Sequence, residues 1–201
     1  MGTGFAAPGG EFTRALYEWA LTDQGYFLRD LLRERRVVEL GAGMMPFGYA
    51  LAAACEARNF VAVEPFYSDM QKKSVSCLIE ERQGTLPRIP YKVESVDMLE
   101  YLKGEADNLL CVVACGIEDC ILPGPDYRKK VEGEVVRVLE EDAFFLSSHS
   151  DLFPRDLKSV EVNFPRPSNP KVQDRLRLHG RPDAFDRYGK KIERLRLGVN
   201  R

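Results

Sequence analysis

The stretch Val37-Val38-Glu39-Leu40-Gly41-Ala42-Gly43-Met44-Met45-Pro46-Phe47-Gly48 decides how the rest of the chain is read. Its first four residues have a strand pattern that stops at Gly41, and an alanine-rich segment over residues 47–57 then reads as a helix. Strand, glycine turn and helix in that order open a βαβ unit. Gly41 lets the chain turn sharply off the strand, and Gly43 removes a side chain where a ligand must approach the backbone. The helix that follows offers unpaired N–H groups suited to a carboxylate. The spacing is not that of G-x-G-x-x-G. The position needing the third glycine is Pro46, and the next glycine is Gly48, which argues against a nicotinamide or flavin site. Glu39, two residues before the first glycine, is also unusual for that class. It has the chemistry to accept a hydrogen bond from a cationic amino group, or to orient the loop.

Working outward, the chain alternates helical and extended patterns. Residues 11–35 read as helical, with Gly25 dividing two helices. Strands are expected at residues 59–63, 91–96, 108–115 and 143–148. Helices are expected at 68–81 and 126–139, with one helical turn at 98–102. The fourth strand is apolar throughout, as a strand covered on both faces should be. Repeated crossovers of this kind imply a doubly wound, mostly parallel α/β sheet with helices on both faces. Such sheets bind ligands at the carboxyl ends of their strands. Beyond Asp151 a strand is expected at 157–164, a loop at Pro165, Pro167 and Pro170, and a last strand at 191–199 whose apolar positions are Ile192, Leu195, Leu197 and Val199. The sheet is then seven-stranded with an antiparallel C-terminal strand. Residues 1–35 form an N-terminal helical segment packing on a single domain of residues 36–201. Residues 1–10, rich in glycine and alanine, read as frayed.

The residues just after the strands carry a resemblance. The run Val37-Val38-Glu39-Leu40-Gly41-Ala42-Gly43 resembles the first motif of class I S-adenosylmethionine-dependent methyltransferases, which have a Rossmann-like fold. Val61-Ala62-Val63-Glu64 resembles the second motif, Glu94-Ser95-Val96-Asp97-Met98 the third, and residues 109–116 the fourth strand. The resemblance implies S-adenosylmethionine as cofactor. Gly41, Ala42, Gly43 and Glu39 would surround its methionine portion, and Glu64 would hold the ribose hydroxyls with Pro65 and Phe66 beside it. Asp97 and Met98 would meet the adenine, and Ala114 would border the methyl donor. Aromatic residues before the first strand often cover the cofactor in this family, which makes Tyr26, beside the break at Gly25, the candidate lid; Trp19 reads as core. Each feature also has a plain reading: a glycine turn, a solvated Glu64, an Asp97 that only caps a helix. The family's third glycine, two residues after the second, is here Met45. The G-A-G-x-x-P pattern also resembles nicotianamine synthases, which leaves aminocarboxypropyl transfer, or a non-catalytic cofactor-binding subunit, as alternatives.

Methyl transfer to a hydroxyl or amine needs an aligned nucleophile and often a proton acceptor. Glu118 and Asp119, after the fourth strand, are the candidates, with a loop-capping role as the alternative. Neither the N/D-P-P-Y/F tetrapeptide of adenine methylation nor a Pro-Cys pair follows that strand. No metal site is expected, because His149 and His179 stand far apart and the five cysteines form no C-x-x-C pair. The cysteines read as reduced thiols packed like small hydrophobes.

Composition sets the remaining bounds. With 44% hydrophobic and 30% charged residues over 201 positions, the chain is long enough to bury a core and unlike a disordered sequence. The longest apolar stretch falls well short of the ~20 residues that span a membrane, and no secretory signal is read. A cytoplasmic protein is expected. The net charge of −2 is unevenly spread: residues 155–201 hold 13 Lys/Arg against 6 Asp/Glu, and the preceding 154 hold 16 against 25. The basic segment raises RNA or a protein as an alternative acceptor to a small molecule, since Lys171, Arg175, Arg177, Arg181, Arg187 and their neighbours have the charge to contact phosphates or an acidic partner. No aromatic-interleaved RNA-binding motif accompanies it, and a small-molecule acceptor is the leading expectation.

Overall fold

A computed structural model describes residues 8–196. Seven strands, β1 (Arg36–Leu40), β2 (Asn59–Val63), β3 (Tyr91–Glu94), β4 (Cys111–Cys115), β5 (Phe144–Ser148), β6 (Lys158–Arg166) and β7 (Asn169–Gly180), form one sheet in the order β3-β2-β1-β4-β5-β7-β6. The pairs from β3 through β5 are parallel, and β7 runs antiparallel between β5 and β6. Seven helices connect and cover the strands: α1 (Pro8–Ala20), α2 (Phe27–Leu32), α3 (Phe47–Ala54), α4 (Asp69–Arg82), α5 (Met98–Gly104), α6 (Pro125–Val138) and α7 (Pro182–Arg196). The sheet is the α/β, doubly wound, mostly parallel one expected. Its strand order reverses between β1 and β4, the switch point where such sheets open a crevice.

Local chemistry accounts for the element boundaries. Ser68 and Gln71 form a reciprocal capping box at the start of α4, and Asp97 accepts the Leu99 and Glu100 N–H groups at the start of α5. The central strands β1, β2, β4 and β5 are buried along nearly their whole length, as both-face coverage demands. Helix α1 is fastened across the sheet by Trp19, which stacks on Phe164 of β6 with ring centroids 4.5 Å apart.

Three sequence expectations change. Residues 191–196 are not strand but the end of α7, and the last strand is β7. Ala184, Tyr188 and Ile192, spaced four apart, make one buried stripe on α7. Leu197 and Val199 lie outside the described residues. The proline-rich loop contracts to the tip of the β6–β7 hairpin, with Pro165 in the edge strand beside a bulge, where a missing N–H is tolerated. Cys55, Cys111 and Cys115 are buried thiols, but Cys77 is exposed on α4; the side chain of Cys120 and residues 1–7 fall outside the description. Among the described residues, no helix is long and apolar enough to cross a membrane.

Candidate functional site

The ends of β1, β2 and β3 are tied into one rim by side chains that bond backbone. Gly41 and Gly43 adopt left-handed φ of 66° and 60°, where a side chain is strained. This folds the loop back so that the N–H groups of Gly41 and Ala42 both donate to the Val63 carbonyl, at 2.9 and 3.2 Å. A Cβ at Gly41 would lie 3.3 Å from Ile117, so the loop after β4 packs directly on this turn. Glu64 accepts from the Phe66 N–H at 3.3 Å and from the Gly43 N–H. Burial raises its pKa while those two donors oppose the rise. The Tyr67 hydroxyl donates to the Gly43 carbonyl, and Ser95 donates to the Tyr67 carbonyl at 2.6 Å, which extends the rim to the end of β3. A cavity of about 240 Å³ opens here, lined by Gly43, Met44, Glu64, Phe66, Tyr67 and Gln71.

Glu39 lies beneath this rim rather than in the cavity. It is 3% exposed, accepts a hydrogen bond from Thr13 of α1 at 2.8 Å, and faces Gly48, where a Cβ would come within 1.8 Å of its Oε2. Burial pushes its carboxyl up to about 8, Thr13 partly opposing and Glu64 adding to the rise. Asp97 uses Oδ1 to cap α5 and Oδ2 to accept the Tyr127 hydroxyl at 2.6 Å. Pro65 is half-buried, Met98 is buried, and Ala114 is buried in β4. Tyr26 does not join this group. It stacks on Arg29 of its own helix, and Arg29 is paired at 2.7 Å with Glu56, three residues before the start of β2. Tyr26 therefore stands toward the amino-terminal edge of the sheet, away from the rim at the carboxyl edge where a lid was expected.

A second cavity, of about 430 Å³, opens beyond β4, β5 and β7. Glu118 and Asp119 line it, joined by Ser147, His149, Ser150, Asp151, Arg175 and Arg177, which the sequence reading did not bring together. Asp119 is held by Arg128 through both oxygens, at 2.7 and 2.8 Å, and its N–H donates to Asp151 at 2.7 Å. Ser147 forms part of the cavity, and its hydroxyl lies 3.2 Å from Nε2 of the buried His179. His149, at φ 49°, stacks on Phe12 of α1 at 3.7 Å. The run Ser147-Ser148-His149-Ser150-Asp151 at the end of a strand was the available signal: polar residues where a covered strand should give way to a plain turn. Cys115 is buried in β4, and burial pushes its thiol up to about 12.

No family model matches the sequence, and no curated protein matches it. Solved structures do share its shape. A methyltransferase from Geobacter sulfurreducens matches with a TM-score of 0.50 at 16% identity, over 85% of this chain and 78% of its own. An rRNA methylase from Streptococcus thermophilus matches with a TM-score of 0.52 at 11% identity, over 78% and 93%. A spermidine synthase from Thermotoga maritima matches with a TM-score of 0.55 at 9% identity, over 92% and 70%. With β7 inserted antiparallel between β5 and β6 and the switch point between β1 and β4, the chain has the Rossmann-like fold of these methyltransferases.

Proposed function

We propose that the chain is an S-adenosylmethionine-dependent methyltransferase acting on a small molecule. One observation carries the reading: the Glu64 carboxylate is set at a cavity wall by the backbone N–H groups of Gly43 and Phe66. A carboxylate so placed fits the paired hydroxyls of a ribose, and the left-handed Gly41–Gly43 turn fits close approach of the methionine portion. Phe66, 63% exposed at the cavity, offers a face to the adenine. Asp97, Met98 and Pro65 complete that end. Ala42 and Ala114 border the reacting centre, and Glu39 holds the loop from below through Thr13 and α1. When bound, the cofactor supplies a methyl group activated by a sulfonium. The protein aligns the acceptor, keeps out water and takes its proton. We assign proton acceptance to Glu118, which is exposed and lines the second cavity just after β4, while Asp119 beside it is bound by Arg128.

The second cavity also favours a metabolite over RNA. Three carboxylates, Glu118, Asp119 and Asp151, line it and oppose a phosphate backbone. Much of the basic C-terminal segment outside this cavity is folded into internal bonds: Arg166 with Asp174, Arg181 with Asn108, Arg187 with Asp142, and Lys191 with Asp30.

Calorimetric titration with S-adenosylhomocysteine tests the reading. The wild-type chain should bind it. Glu64→Ala should lose about tenfold or more in affinity, the cost of two charge-assisted hydrogen bonds. Equal affinity in the two would remove the ribose role, and no binding to the wild type would remove the function.

A further inference from the structure

We infer that the cavity beyond β4, β5 and β7 takes an acceptor bearing an oxyanion, a carboxylate or phosphate group, held by Arg177 and Arg175. The inference rests on the methyltransferase reading for which end of that molecule reacts. The strand register shows how the two cavities are related. Leu40, Ala114, Ser147, Arg177 and Glu161 are successive partners across β1, β4, β5, β7 and β6. Directly paired residues share a face, and neighbouring strands lie about 4.8 Å apart. Arg177 thus stands two strands, about 10 Å, from Ala114 on the same face.

Charge is sorted along this row. The acidic wall belongs to the β4 side, because the Asp151 N–H donates to the Ile117 carbonyl at 2.7 Å and its carboxylate accepts from Asp119. The basic wall belongs to β7, where one carboxylate, Glu161, faces both guanidiniums, at 3.8 Å from Arg175 and 3.2 Å from Arg177. Two positive charges against one negative leave the β7 wall, as distinct from the acidic wall opposite, net cationic where it faces a cavity large enough for a metabolite. The floor adds no charge of its own. Burial, with Arg177 adding to it, pushes the His179 imidazole down to about 4, so it is neutral beside Ser147. An acceptor therefore lies with its oxyanion on β7 and its nucleophile toward Glu118 and the methyl donor. The acidic wall rejects a molecule that is anionic along its whole length.

The chain contains two histidines, His149 lining this cavity and His179 beneath Ser147, so their ring resonances report on this place alone. Glutarate and inorganic phosphate are titrated in turn into the full chain saturated with S-adenosylhomocysteine. We expect at least one to move both histidine signals saturably, and the tighter of the two identifies the oxyanion. Arg177→Met should weaken that binding about tenfold or more while leaving S-adenosylhomocysteine affinity intact, and Arg194→Gln should change neither. Silent histidines with both probes, or unchanged binding in Arg177→Met, overturn the inference. Loss of nucleoside binding in the wild type with anion binding retained would instead remove the methyltransferase reading and leave the anion site standing.

Discussion

Replacing Glu39 by glutamine should stabilise the protein in a way that grows with pH. The side chain is 3% exposed, it accepts a hydrogen bond from Thr13, and burial lifts its carboxyl to about 8 from an ordinary 4.5. Between those pH values the unfolded chain has released a proton that the folded chain retains. Fewer protons are bound by the unfolded state, so stability falls as pH rises from about 4.5 to 8. At 1.36 kcal/mol for each pH unit the accumulated penalty is at most about 5 kcal/mol. In Glu39→Gln the amide keeps an oxygen for the Thr13 hydroxyl and has no proton to release, so the variant escapes the penalty. For a chain of this length each kcal/mol moves Tm by about 2–4 °C. The difference in Tm between Glu39→Gln and wild type, read by thermal melting in buffers of matched ionic strength, should widen by about 7–14 °C between pH 5 and pH 8, where roughly 3.5 kcal/mol of the penalty accumulates. Glu64, also raised by burial, is present in both proteins and cancels to first order. A Tm difference that is flat with pH, or one that narrows toward pH 8, would refute the account of Glu39 as a buried acid neutral at low pH.

Two further outcomes follow from the same geometry. Gly48→Ala should destabilise by about 1–3 kcal/mol or more in urea unfolding, because the new Cβ would meet Glu39 Oε2 at 1.8 Å and the Phe60 ring at 3.0 Å; the double variant with Glu39→Ala should recover part of the loss. Asp97→Ala removes the cap of α5 and the partner of the Tyr127 hydroxyl, and should cost about 1–2 kcal/mol in unfolding while weakening S-adenosylhomocysteine binding in calorimetry; a cost in stability with unchanged binding would make Asp97 a cap only.

The parallel half of the sheet is legible in the sequence because its rules are local. Residues 60–63 and 111–115 are apolar runs, and 37–40 is one broken by Glu39, each with glycine or an acid at its carboxyl end, as strands covered on both faces require. The C-terminal third obeys a longer-range rule. Its true last strand carries Leu176 and Leu178 inward with Arg175, Arg177 and His179 between them, a period of two that is present in the sequence but obscured by the prolines before it. The segment expected as the last strand instead has Ile192 one helical repeat from Tyr188, and three apolar residues among charges at 192–197 do not distinguish the two periods. The expectation for Tyr26 fails for a related reason. A break at Gly25 is visible in the sequence, but which edge of the sheet the break faces depends on the Arg29–Glu56 pair across 27 residues.

The candidate site divides along the same line. On the side proposed for the methyl donor the demands fall on the main chain: left-handed φ at Gly41 and Gly43, and amide donors around one carboxylate at Glu64. Such demands leave a mark in residue type at the position itself, so reading the sequence finds them. On the side proposed for the acceptor the demands fall on side chains brought together by register, with Ser147 opposite Arg177 and Arg177 opposite Glu161. No spacing within a single element encodes that row. It exists because β7 enters antiparallel between β5 and β6, and a one-residue slip of that pairing would turn Arg177 to the other face and bring a leucine in its place. The core prevents the slip: Leu176 and Leu178 are fully buried on the face opposite Arg177, so the packing that stabilises β7 is also what aims its arginines.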